Sequence, residues 1–132
     1  MIEVESTEAT SVWKETKCEL PDAIRAGLID LARANKDIEI CGFILSDGTL
    51  VNITNVDPNP AKGFEMDKDQ MMKTIKGKTP IAATYHSHPS GRKWPSDTDG
   101  DHMSFLYKQG CPWRYLIVTT DGVFEFEHRD RS

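Results

Sequence analysis

The 132-residue chain carries 16 Lys and Arg against 21 Asp and Glu, a formal net charge of −5, with 38% hydrophobic and 28% charged residues. That length makes one domain, well short of the roughly 250 residues of an eight-stranded α/β barrel, and the composition excludes bulk disorder. The acidic balance argues against a general nucleic-acid binder, which needs a basic face.

In chain order, residues 1–17 carry mixed charge and weak patterning and are expected to form an arm or a short edge strand ahead of a domain at 18–132. The stretch MIEVESTEAT lacks the basic and apolar regions of a secretory signal. Pro21 and Asp22 suit a first helical turn, and Ile24, Leu28 and Leu31 give an apolar stripe that predicts a helix to about Asn35. IEICGFIL at 38–45 and TLVNITNV from 49 read as strands joined by a tight turn at Ser46-Asp47-Gly48. Residues 67–75 predict a short helix with Met71, Met72 and Ile75 on one side as core filler. PIAATYH at 80–86 reads as a buried strand, followed by a loop and a helix from about Ser96 to Gln109, stopped by Gly110. WRYLIVTT and VFEFE predict a second hairpin around Asp121-Gly122. Interleaved strands and helices imply an α/β domain with one mixed sheet flanked by helices.

The three cysteines, Cys18, Cys41 and Cys111, are widely spaced. No disulfide framework or paired-thiolate zinc site is expected, and a reducing, cytoplasmic setting is the simpler reading. No apolar stretch approaches the roughly 20 residues of a membrane span.

The candidate chemistry lies in the histidines. His86 and His88 are separated by one residue at a strand end, so both imidazoles can face one point. Such a pair suits Zn²⁺, and a catalytic zinc site takes a third protein ligand and leaves one position open. Asp99, in the first turn of the next helix, is the candidate third ligand. Ser96 and Asp99 also read as a helix cap, a role that competes for the same carboxylate. His102 reads as a surface or neighbouring residue and His128 as solvated. A base is needed to move the proton of an activated water. Glu39 is the candidate, ahead of Cys41 and a Gly42 that permits close backbone approach. From spacing alone, an ordinary exposed Glu is the stronger reading of Glu39.

Glu39, then His86-Ser87-His88-Pro89, then Ser96-x-x-Asp99 resembles the signature of the JAMM metalloproteases, the active branch of the JAB/MPN domain. The likeness spans about Leu20 to Glu127. It implies a three-layer architecture similar to cytidine deaminases. It implies one Zn²⁺ per chain on His86, His88 and Asp99, with water as the fourth ligand. Glu39 would be general base and then general acid, Ser96 the donor to the oxyanion, and a peptide or isopeptide bond the target. CGFIL (41–45), NPAKGFEMD (59–67) and GCPWRYLIV (110–118) are further similar to JAB domains of tailed-phage tail-assembly proteins. That implies processing of a tail protein, in the host cytoplasm or with the virion tail. Many such relatives carry an appended cell-wall peptidase domain, absent from this sequence. The alternative substrates are ubiquitin-like or sulfur-carrier proteins, and the alternative class is a zinc-bound non-catalytic scaffold. No nucleic acid or membrane partner is expected, and a homodimer is left open because MPN proteins often pair. Deaminase chemistry is excluded, since it needs His-x-Glu with Pro-Cys-x-x-Cys. Trp94 either lines a substrate groove or anchors its loop.

Overall fold

The computed structural model describes residues 12–130. Its strands are β1 (Trp13–Thr16), β2 (Cys41–Leu45), β3 (Leu50–Ile53), β4 (Ile81–Ser87), β5 (Arg114–Val118) and β6 (Val123–His128), and its helices α1 (Asp22–Ala34), α2 (Lys68–Ile75) and α3 (Asp97–Lys108). One six-stranded sheet runs in the order β1-β6-β5-β4-β2-β3. Among the described residues, only β4 and β5 pair in parallel. A parallel pair needs a crossover, and α3 supplies it. The crossover brings the start of α3 back beside the carboxyl end of β4, where the candidate site lies.

The strand period of two sorts side chains to two faces. Leu116 and Val118 of β5 pack with Ile44, Tyr85, Leu28 and Ala32 under α1. Tyr115 and Ile117 of the same strand point the other way, to Met103 and Leu106 of α3. Cys41 and Phe43 of β2 share that second face with Met71 of α2, Phe64 and Trp113. The result is three layers: α1, the sheet, and the pair α2 and α3.

The α1 stripe carries its helix as the spacing predicts, with Pro21 at the N-cap and not inside the first turn. The first hairpin turns through Ser46, Asp47 and Gly48, and Gly48 takes φ +90°, a conformation open to glycine. β2 begins later than the apolar run. Glu39 leaves the regular ladder because its backbone groups bond elsewhere, and Ile40 keeps half of it, its carbonyl taking the Ser87 N–H while its own N–H goes to the Ser87 hydroxyl. Of the three apolar residues expected inside under α2, only Met71 packs there; Met72 and Ile75 are exposed. An eight-residue helix at the sheet margin covers one narrow stripe, and these two lie off it.

Of two expectations near the termini, one is met in its described part and one needs correction. The reading of 1–17 as arm or edge strand falls partly on residues 1–11, outside those described. From Trp13 onward the segment is an edge strand paired to β6. Trp13 is buried, with its indole N–H donating to Ser104 Oγ at 3.2 Å. His128 is not solvated. Its ring stacks on Tyr107 at 4.1 Å and meets Trp13 edge-on, because the pairing of β1 with β6 places Trp13 opposite it.

Gly42 shows why the Cys-Gly step sits where it does. A Cβ there would lie 2.1 Å from the Val51 carbonyl oxygen and 2.6 Å from the Tyr85 hydroxyl. A Gly42→Ala substitution is therefore expected to destabilise the fold by about 3 kcal/mol, the upper range for overpacking. A urea unfolding midpoint unchanged from wild type would refute that reading.

Candidate metal centre

The site is built at the end of β4. His86 pairs with Cys41 on one side and Ile117 on the other. The chain stays extended past the strand, because the His88 N–H donates to the Val118 carbonyl at 2.9 Å. Both rings therefore lie on the α3 side, with their Nε2 atoms 3.2 Å apart. Asp99 arrives from the first turn of α3. Its Oδ2 is 2.8 Å from His88 Nε2 and 3.1 Å from His86 Nε2. His86, His88, Asp99 and Glu39 are all buried.

The helix cap and the cluster coexist. Ser96 Oγ accepts from the Asp99 N–H at 3.1 Å, and Asp99 Oδ2 accepts from the Ser96 N–H at 2.9 Å. The expected competition for the carboxylate does not arise. A carboxylate oxygen has more than one lone pair, and Oδ2 faces the backbone and the imidazoles together. The capping box thus fixes Asp99 from its own helix.

The His88 ring has a defined tautomer. Its Nδ1 lies 2.8 Å from the Arg92 carbonyl oxygen, so Nδ1 carries the proton and donates. In the neutral ring Nε2 then bears a lone pair, and it points at a carboxylate oxygen and at the second Nε2. Two imidazole nitrogens and a carboxylate oxygen at 2.8–3.2 Å from one another in a buried place need a proton or a cation among them. Ligands tetrahedral about an ion at roughly 2.0–2.1 Å stand about 3.3 Å from one another, and two nitrogens with one carboxylate oxygen are a zinc-type donor set. A backbone carbonyl holding the far nitrogen of a ligating His is the usual orienting partner. One donor atom from each of Glu39, His86, His88 and Asp99 lies within 4.8 Å of the others, and the group could hold a metal ion. The contacts of 2.8–3.2 Å join His86, His88 and Asp99, and the Glu39 carboxylate stands farther off.

Electrostatics follow this geometry. Burial opposes ionisation of Asp99, but the two imidazoles outweigh it and hold its carboxyl well below the ordinary range. Burial also opposes charge on His88, yet the Asp99 carboxylate and the Arg92 carbonyl win and its pKa is raised. For Glu39 burial dominates, and its pKa is raised despite the nearby imidazoles.

Glu39 is tied to the histidines by contacts that local spacing does not reveal. Ser87, between the two histidines, accepts from the Ile40 N–H through Oγ at 2.8 Å and donates its own N–H to the Ile40 carbonyl at 2.9 Å. The Glu39 N–H donates to the Pro60 carbonyl at 2.7 Å, and its carbonyl accepts from Asn55 Nδ2 at 2.8 Å. Phe64 stacks on His86 with centroids 4.6 Å apart. Sequence reasoning singled out none of Ser87, Asn55 and Phe64 for the site, although Phe64 and Pro60 lie in the NPAKGFEMD segment.

A groove of about 1100 Å³, above the roughly 300–1,000 Å³ of small-molecule pockets, adjoins the cluster. Phe43, Phe64, Met71, Phe105 and Trp113 line it, and Ser96 and Asp99 border it. His102 is exposed on the same groove, edge-on to Phe64. Trp94 is a loop anchor. It packs into the core under α3, 5.4 Å from Phe126.

A family model described as prokaryotic homologs of the JAB domain matches residues 21–130. No curated protein matches the chain. Among the described residues, no helix is long and apolar enough to cross a membrane.

The raised values of His88 and Glu39 predict an unusual pH profile for chelator-treated protein. Both groups bind protons more tightly folded than unfolded, so their contribution is full below the ordinary values of 6.5 and 4.5. It is lost as pH rises through the raised values. Asp99 has the opposite sign. Its contribution is present above the ordinary 3.8 and is lost in acid. The urea midpoint of chelated protein is therefore expected to fall as pH rises past neutrality. Added zinc, which takes the deprotonated rings, is expected to reverse the trend. A midpoint indifferent to zinc at pH 8 would refute the metal centre.

Proposed function

The chain belongs to the family of prokaryotic JAB-domain proteins, and from that membership and the buried cluster we propose that it is a JAMM-type zinc metallopeptidase. The observation that carries the reading is the convergence of Glu39, His86, His88 and Asp99 in one buried place beside a groove. His86, His88 and Asp99 hold the ion, consistent with their mutual contacts and with the cap and carbonyl that orient Asp99 and His88. When bound, zinc supplies electrophilic charge and acidifies water at the site.

The remaining steps belong to side chains of this chain. Glu39, standing off from the other three, takes the proton of the attacking water and returns it to the leaving amine. Its raised pKa brings it nearer the pH at which a base must both accept and release a proton. The Ser96 hydroxyl oxygen is occupied as an acceptor from the Asp99 N–H, which leaves its hydrogen to donate to the oxyanion that forms as water adds to the carbonyl. Burial of the cluster keeps these charges strong by excluding bulk water.

The groove supports a polypeptide substrate, because its apolar lining and size suit several residues of extended chain. Within this reading the substrate is a phage tail protein, processed in the host cytoplasm, on the likeness of the segments at 41–45, 59–67 and 110–118 to tail-assembly proteins. A ubiquitin-like or sulfur-carrier substrate is the competing outcome of a cleavage screen. Wild type would be offered tail proteins and Gly-Gly fusions side by side. Cleavage of the fusion alone would overturn the tail assignment, and cleavage of neither would favour a metal-bound scaffold.

Two variants test the roles. Glu39→Gln is expected to bind one zinc per chain and to lose cleavage, and turnover equal to wild type would remove Glu39 from the mechanism. Ser96→Ala is expected to lower kcat by about 10²–10³-fold, as for loss of one oxyanion donor. It should also cost about 1 kcal/mol of stability through the lost cap. A stability loss without a kcat loss would leave Ser96 as a cap only.

A further inference from the structure

Asn55 lies just beyond β3, on neither the strand nor the helix that carries the clustered histidines and Asp99. Its side chain is half-buried and makes four hydrogen bonds, the full capacity of an amide with two donors and two acceptor lone pairs. Nδ2 donates to the Glu39 carbonyl at 2.8 Å and to the Gly63 carbonyl at 3.0 Å. Oδ1 accepts from the Asp57 N–H at 3.0 Å and the Glu65 N–H at 3.1 Å. The two halves of the amide do different things. The acceptor half folds the 57–65 loop back along β3, where Asn55 also bridges Met66. The donor half fastens that loop to the peptide of Glu39.

The loop in turn carries two contacts into the site. The Pro60 carbonyl takes the Glu39 N–H, and Phe64 covers the His86 ring. Glu39 sits where the β2 ladder has not yet begun, so no strand partner holds its own N–H and carbonyl. Ser87 holds only the next residue, Ile40. Without Asn55, the Glu39 peptide loses one of its two anchors directly and has the other attached to an untethered loop.

We propose that Asn55 is a positioning residue that acts through Glu39, locking the peptide of the proposed base against the 57–65 loop. The inference rests on the base role proposed above, and none of the four Asn55 hydrogen bonds goes to His86, His88 or Asp99. Misplacement of a catalytic group by about 1 Å can cost on the order of 10²-fold in rate.

Asn55→Ala removes all four bonds and risks the fold, so Asn55→Asp is the sharper variant. It keeps an acceptor for the Asp57 and Glu65 amides and replaces the donor half with a carboxylate oxygen that the Glu39 and Gly63 carbonyls repel. The test combines amide hydrogen exchange, Co²⁺ substitution and steady-state kinetics on the full chain. Asn55→Asp is expected to lose exchange protection at the Glu39 N–H while the Ser87 and His88 amides stay protected. Its Co²⁺ absorption spectrum is expected to match wild type. Its kcat is expected to fall by about 10²-fold with KM unchanged, the pattern of a lost transition-state contribution. Retained protection at Glu39 would overturn the proposal. So would a wild-type kcat, or a kcat loss matched by an altered Co²⁺ spectrum. If wild type cleaves none of the polypeptides offered, the proposed activity fails, and the exchange measurement still decides whether Asn55 holds Glu39.

Discussion

Everything at this site depends on one electrostatic constraint. Two imidazole nitrogens and a carboxylate oxygen are held within 3.2 Å of one another in a buried place. With its Nδ1 proton committed to the Arg92 carbonyl, a neutral His88 presents only a lone pair to the Asp99 carboxylate, an arrangement that a protein interior penalises unless a proton or a cation answers it. The protein maintains it by tethering each member separately. β4 fixes His86 between two neighbouring strands. The Arg92 carbonyl orients His88. The capping box of α3 fixes Asp99. None of these tethers passes through another, so the site is organised by backbone before any ion arrives.

The crossover explains why such a cluster can form in a small chain. Parallel pairing of β4 and β5 obliges the intervening helix to return across the sheet. Its first turn then lies against the carboxyl end of β4, the end at which open α/β sheets present their sites. The α3 N-terminus brings partial positive charge as well as the carboxylate. The cap amide of Ser96 donates to the same Oδ2 that faces the rings, which eases the concentration of negative charge there. The same geometry leaves Ser96 at the border of the groove with its hydroxyl hydrogen free to donate.

Much of this was legible in the sequence because it is local. The α1 stripe, both hairpins, the α3 boundaries and the His-x-His geometry each follow from periodicity, caps and turns within a few residues. What the sequence left obscure is non-local. Glu39 looked ordinary because its own links run to Pro60 and Asn55, and its neighbour Ile40 is held by Ser87, 47 residues on. Phe64 stands against His86 only because a loop folds back along β3. His128 looked solvated because its ring partners, Trp13 and Tyr107, come from a distant strand and helix. Met72 and Ile75 failed for the opposite reason. Their helical spacing matched a stripe, but the covered stripe is narrower than the spacing allows.

On the proposed reading, the arrangement also separates the residues that hold the ion from the base that works beside it. The three mutually touching donors are anchored by β4, its following loop and α3, whereas the Glu39 carboxylate belongs to a segment pinned by Ser87, Pro60 and Asn55. Had the proposed base been one more residue of the β4 ladder, any shift that served the ion would have moved the base with it. Placing it on a separate short segment lets its distance be set by different hydrogen bonds. Preorganisation of this kind is where catalytic precision comes from, since rate responds steeply to the placement of a proton acceptor and weakly to overall stability. It also accounts for the irregular start of β2. There the Glu39 peptide bonds to Pro60 and Asn55, and the Ile40 N–H to the Ser87 hydroxyl, in place of regular ladder bonds.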